Sequence, residues 1–356
     1  MGKTALFSST PVCRSGRPRT RLFVLPTAFV LVLALCPLLM AQSSSGPDWS
    51  QARSALGFQG QTQGNVLKIS FVRQETITVQ GKTVPPALVL EGFIAEQFAG
   101  RNATGSQALV FGEFPVRDEE VENFKTALVR AGVNVSALHN HELQDVPPFK
   151  YVHIEAFGDA AQLSKGIRAA LDSTRASYKD ISSEDEKTAP GETETKNIMP
   201  SDAMVEGREG IIDVELDRKD AFTSCAASIT SRNGAGQQET LSGDLGAGAL
   251  AACETAGRGR IDVEKGAVAF SDITINWQGG SGDVDADLSL RANEVNPVLS
   301  YLEQNGFRLS ALHNHTLTVK PDIFFLHMSS SGDVLKALRA LRSAWNATGG
   351  RSTTGR

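Results

Sequence analysis

The chain of 356 residues contains six histidines, and they fall into two sets of three. Ser-Ala-Leu-His-Asn-His runs from Ser136 to His141 and is followed by His153; the same six residues return from Ser310 to His315 and are followed by His327. Subtracting 139 from 313 separates the copies by 174 positions. Imidazole nitrogen suits zinc, copper, nickel and iron, and three protein ligands with an open position are the pattern of catalytic zinc. Strand geometry makes such a set feasible. His139 and His141, two residues apart, project from one face with Cβ atoms roughly 6 to 7 Å apart. A turn at Pro147-Pro148 folds His153 back beside His141, and cross-strand neighbours stand about 4.5 to 5.5 Å apart. The expectation is one triad per repeat: His139, His141 and His153, then His313, His315 and His327. The ion expected is a divalent transition metal, with zinc favoured over copper, nickel and iron. Glu155 shares the face of His153 and could serve as fourth ligand or general base, whereas the second repeat has Ser329 there. Asn140 and Asn314 point the other way, towards hydrogen bonds between strand and helix.

The rival reading makes the histidines structural, packing one repeat against the other in a non-enzymatic envelope module. A two-histidine phosphoesterase pairs two His-x-Thr/Ser motifs; His327-Met328-Ser329 has that form, but His153-Ile154-Glu155 does not. No Gly-x-Ser-x-Gly elbow is present, and the glycines from Gly243 to Gly248 lack the helix and lysine of a phosphate cradle. Whether the protein is an enzyme stays open at this level.

The elements that must position the histidines follow from periodicity. Val66 to Val72, Thr76 to Val79, Ala87 to Ala95 and Gln107 to Phe114 read as strands between glycine and proline breaks. Asp118 is the expected N-cap of a helix burying Val121, Phe124 and Leu128. A strand from Val133 carries Val133, Val135, Ala137, His139 and His141 on one face, and Lys150 to Phe157 returns with Tyr151, His153, Glu155 and Phe157 together. Gly158-Asp159 opens a helix burying Leu163, Ile167 and Leu171. This order is most of a split βαβ unit, so the class is α+β, each repeat a mainly antiparallel sheet with helices on one face. Arg117 and Arg291, Gly132 and Gly306, and Gly158 and Gly332 obey the same offset of 174. The boundaries expected are a signal at 1–41, repeat 1 at 48–173, a flexible linker at 174–205 and repeat 2 at 206–348, the two repeats packing about a pseudo-twofold axis. Segment 206–278 has no clear counterpart in the first half.

Residues 1–41 place Arg14, Arg17, Arg19 and Arg21 before an apolar run from Leu22 to Met40, the form of a secretory signal; Pro26 and Pro37 oppose a permanent membrane helix. Leu35 before Cys36 is too large for a lipidation site, so a lipoprotein is not expected. The full chain has net charge −5; removing five basic and no acidic residues leaves 30 basic against 40 acidic, or −10, which argues against nucleic acid as a partner. Partners expected instead are a small molecule or an envelope component. Cys225 and Cys253 remain, and an exported chain would join them.

The Ala-Leu-His-Asn-His motif, the Glu-Val-Asn-Pro helix start at Glu294 to Pro297, the aromatic strand ending in histidine and the Gly-Asp-led helix together resemble the LppY/LpqO-like bacterial envelope family, over residues 48–172 and about 279–345. The resemblance implies a duplicated exported domain, periplasmic or secreted. It implies no reaction, because that family is of unknown function.

Overall fold

A computed structural model describes residues 47–102, 105–181, 187–229, 247–257 and 259–349; the expected signal lies outside them. In the first repeat, strands β1 (Gln61–Gln63), β2 (Val66–Arg73), β3 (Glu91–Asn102), β4 (Gly105–Arg117), β5 (Asn134–His139), β6 (Phe149–Asp159) and β7 (Tyr178–Ile181) form one antiparallel sheet. Its order is β1-β2-β3-β4-β6-β5, with β7 also on β2. In the second repeat, β8 (Met204–Arg208), β9 (Ile211–Asp217), β10 (Phe270–Gln278), β11 (Ser281–Leu290), β12 (Arg308–Asn314) and β13 (Phe324–Asp333) repeat that order as β8-β9-β10-β11-β13-β12. In each sheet the strand after the first long helix takes the edge and the returning strand inserts beside it, which is the split βαβ arrangement expected.

Alternation assigns the two faces of each sheet. Leu67, Ile69, Ile94, Val110, Val152 and Ile154 face helices α1 (Ser50–Leu56), α2 (Val121–Arg130) and α3 (Ala160–Ser173). Ile212, Val214, Ile273, Ala286, Leu326 and Met328 likewise face α5 (Ala292–Gln304) and α6 (Val334–Ala347). The opposite faces meet each other in a third core that holds Phe93, Phe111, Phe222, Phe270, Ile323 and Phe325 from both repeats. The sheets therefore face one another, with helices outside.

Local signals explain the helix starts. Asp159 accepts from Gln162 N at 3.1 Å and Asp333 from Lys336 N at 2.9 Å, N-caps at the equivalent position of each repeat. The first long helix starts differently from the expectation. Asp118 lies in a 3-10 turn, and Glu120 reaches back to Arg117 N at 2.9 Å, because the buried Arg73 already draws Glu120 inward at 2.6 Å.

The stretch 174–205 is not a solvated linker where it is described. Tyr178–Ile181 joins the first sheet, and α4 (Glu192–Ile198) buries Thr195 and is followed by the buried Met199. Charged residues dominate its composition, but the few apolar ones are spaced to dock. Ala87 to Ala95, expected as one strand, is a helical turn at Pro86–Val89 followed by β3, since Pro85-Pro86 starts a turn that suits Pro at the first helical position.

Glu96 sits with Ile94 on the helix side of β3, wholly buried, with Ser164 Oγ of α3 at 2.6 Å. Burial raises its pKa to about 7, with Ser164 opposing. A folded pKa above the unfolded value means stability present below about pH 4.5 and lost as pH rises towards 7. Glu96→Gln should match the wild type in denaturant stability near pH 4.5 and exceed it by about 3 kcal/mol above pH 7.

Candidate metal centre

His153 and His327 lie at the centre of the two facing sheets, both fully buried, on the faces that alternation assigns them. His139 is the last residue of its edge strand and His313 the last but one of the other. A β-bulge at Ser136 and its twin at Ser310 shift the register by one residue, between Val135 and Ala137 and between Leu309 and Ala311. Val135 and Leu309 consequently pack on the helix side, while His139 and His313 turn to the inner face. The expected single face from Val133 to His141 does not form.

The inner-face histidines meet across the repeats. His139 Nε2 is 2.8 Å from His153 Nε2, and His313 Nε2 is 2.9 Å from His327 Nε2. The rings of His139 and His313 stack 3.9 Å apart at 17°. His139 to His327 and His153 to His313 are each 4.7 Å between ring centres. There is one cluster on the pseudo-twofold axis, not one triad in each lobe.

His141 and His315 sit where the lobes meet, each touching both. The strand ends at His139, and the ring of His141 stacks on Tyr151 of its own lobe at 4.2 Å, lies edge-on to His327 of the second lobe at 4.6 Å and places Nδ1 3.4 Å from Asp285. His315 mirrors this, 4.0 Å from Phe325 and edge-on to His153 at 4.9 Å. Cis prolines at Pro147 and Pro321 occupy equivalent turns beyond them.

Two carboxylates complete the cluster. Glu113 Oε2 stands 3.5 Å from His153 Nε2, and Asp287 Oδ1 stands 3.3 Å from His327 Nε2. They are cross-strand partners of those histidines and obey the offset of 174, since 287 minus 113 is 174. That offset, applied to acids as well as histidines, was the signal that could have found them.

Glu155 lies elsewhere. Oε2 accepts from Leu317 N at 2.5 Å and Thr318 N at 3.1 Å, and Oε1 accepts from the Thr318 hydroxyl and from Ser224 Oγ at 3.4 Å. It anchors the second lobe's loop, leaving no lone-pair direction towards the imidazoles. Asn140 is exposed and accepts from Lys150 Nζ at 2.6 Å; it makes this contact within the hairpin rather than to a helix.

The electrostatics favour neutral rings. Burial first, and neighbouring imidazoles second, depress His139 to about 2 and His141 and His315 to about 3; burial takes His313 to about 4. Burial likewise holds His153 and His327 far below the usual range, and Glu113 and Asp287 far above theirs. A neutral ring has one N–H and one lone pair. His139 and His313 each place Nδ1 2.8 Å from the backbone oxygen of the next residue, and His315 Nδ1 is 3.1 Å from Val268 O. Donation there leaves each Nε2 lone pair facing the cluster, the orientation that metal-bound imidazoles use. Donor atoms of His139, His153 and His313 lie within 4.8 Å of one another, as do those of Glu113, His153 and His315, so either group could hold an ion. Nδ1 of His153 and His327, and one oxygen each of Glu113 and Asp287, have no hydrogen-bond partner.

The model of the Domain of Unknown Function (DUF1259) matches residues 50–173 and 263–347, more than half of the chain, and the chain belongs to that family. One matched segment falls in each lobe, and the unmatched part between them holds strands β7, β8 and β9 and the disulfide Cys225–Cys253. No curated protein matches. Among solved structures, the chain is similar to EtuB from Clostridium kluyveri at 10% identity and TM-score 0.18, over 85% of this chain and 91% of that one.

Because Glu155 takes up two backbone N–H groups and two hydroxyls, Glu155→Gln replaces acceptors with an NH2 that meets donors. Denaturant unfolding should show a loss of about 2 kcal/mol.

Proposed function

We propose that this is an exported metal-binding protein in which His139, His153 and His313 hold one divalent transition-metal ion between the lobes, with His327 a further donor. The observation that carries the reading is the convergence of ring nitrogens from two repeats on one point, with Nδ1 of His139 and His313 tied to carbonyls. An all-imidazole set favours zinc or copper, with nickel and iron also accommodated. Without an ion, neutral His153 and His327 can donate Nε2–H to His139 and His313, so the paired rings are satisfied by themselves; what favours a cation is the third ring brought to each pair from the other lobe. A second reading, metal-dependent hydrolysis, draws support from Glu113 and Asp287 beside the cluster, which offer a carboxylate for proton transfer. Export is supported by the arginine-led apolar leader and by the disulfide, which belongs to an oxidising compartment. No helix of the described residues is long and apolar enough to cross a membrane. The likeness to LppY/LpqO-like envelope proteins agrees with that placement.

Elemental analysis of the full chain, purified without an affinity tag, should find about one transition-metal ion per chain. His139→Ala with His313→Ala should remove it while circular dichroism keeps the native spectrum. A folded wild type that neither carries nor takes up zinc, copper or nickel would return the histidines to a structural role. Mass spectrometry of the exported protein should place its first residue near Gln42.

A further inference from the structure

The two lobes are not equivalent at the outer histidines. His315 has its Nδ1 on Val268 O, whereas His141 Nδ1 is buried with no hydrogen-bond partner and lies 3.4 Å from Asp285 Oδ2. Beside it stands Glu142. His141 is 9% exposed, and Glu142 and Asp285 are each 5% exposed; Glu142 Oε2 and Asp285 Oδ1 also lack partners. Ligand atoms of all three residues lie within 4.8 Å of one another. The offset of 174 puts Thr316 at the place of Glu142 and Phe111 at the place of Asp285, so the set occurs at one of the two pseudo-equivalent positions and not at the other. Among the described residues no lysine or arginine pairs with either carboxylate; the two carboxyl groups hydrogen-bond to each other, a contact that needs a shared proton unless a cation lies between them. A cavity of about 20 Å³, bordered by His141, Asp285, Tyr151 and Asp287, leaves room for roughly one water molecule beside them.

We propose that His141, Glu142 and Asp285 form a second divalent-cation site, separate from the imidazole cluster and present at only one of the two pseudo-equivalent positions between the lobes. Two carboxylates and one imidazole are a harder donor set than imidazoles alone and suit manganese or ferrous iron better than the imidazole centre does. Because His141 lies edge-on to His327 at 4.6 Å, this cation would neighbour the imidazole centre.

The test is a Mn2+ titration of the metal-stripped full chain, followed by loss of the free-ion electron paramagnetic resonance signal, with Zn2+ uptake measured in parallel. The wild type should take up one Mn2+ per chain. Asp285→Asn and Glu142→Thr should weaken Mn2+ binding at least tenfold and leave Zn2+ uptake unchanged, while His139→Ala with His313→Ala should do the reverse. Glu142→Thr copies the residue of the other lobe, so it decides the matter if Asp285→Asn fails to fold. A folded wild type that takes up no Mn2+ overturns the site. So does Mn2+ uptake indifferent to Glu142→Thr, or lost only when the imidazoles are removed. Loss of Zn2+ uptake everywhere with Mn2+ retained would sink the imidazole centre and leave this site standing.

Discussion

The structure depends on a polar seam buried between two sheets. A sheet with helices on one face would ordinarily turn its other face to water, but here both inner faces are closed against each other, and polar groups on them must find partners across the gap. Phe93 and Phe270, 5.1 Å apart, fill one part of the gap. Elsewhere it is filled by ionic and hydrogen-bonded pairs from opposite lobes: Lys68 with Glu215, Arg208 with Glu91 at 2.9 Å, Thr274 Oγ1 with Leu88 O at 3.0 Å, and Gln97 Nε2 with Asp262 O at 2.6 Å. The histidines belong to this seam, so neither lobe can complete a cluster by itself.

Duplication explains why the seam closes on a pseudo-twofold axis, where a residue meets its own copy. His139 meets His313, and the bulges at Ser136 and Ser310 that aim them are copies of each other. The same logic runs through the buried guanidiniums. Arg73 binds Glu75, Glu120 and Pro115 O; Arg218 binds Asp220, Glu294 and Ser289 O. Glu120 and Glu294 obey the offset of 174, but Arg73 and Arg218 are 145 apart. The 29-residue difference is net extra chain in the second lobe, where Phe222–Ser224, Ile261–Val263 and Val319–Lys320 form a small sheet and Cys225 is joined to Cys253. That segment contributes Phe222, Ala226 and Val263 to the core between the sheets.

The α+β class, the antiparallel sheets and most helix faces were legible because the periods are clean: Val152, Ile154 and Ala156 face the helices and Tyr151, His153 and Glu155 face inward, as alternation requires. The bulge was not legible, since one inserted residue at Ser136 changes no hydrophobic count yet reverses which face Val135 occupies. The equivalence of 206–278 with the first lobe was hidden by the insertion, which displaces Arg218 from the register that the histidines announce. The contacts of His141 with His327 and of His315 with His153 needed the docking of the sheets, a contact between residues far apart in sequence that local spacing cannot encode. The spacing of 141 and 153 about Pro147-Pro148 described a hairpin closing on itself; the strand stops at His139 instead, and Asp145–Val146 pairs with Thr78–Val79.

A shared centre changes what an ion would do to the molecule. In a triad confined to one lobe, binding energy stabilises that lobe alone. With ligands from both lobes, metal binding and lobe docking become one equilibrium, and whatever free energy the ion supplies to the bound state is supplied to the interface as well. The seam also carries carboxylates that burial drives towards protonation, Glu113 and Asp287 among them. A cation beside them offsets the same desolvation that keeps the six imidazoles neutral. Acids that resist ionisation and bases that resist protonation are opposite responses to one dry environment, and a divalent ion bound there would relieve both.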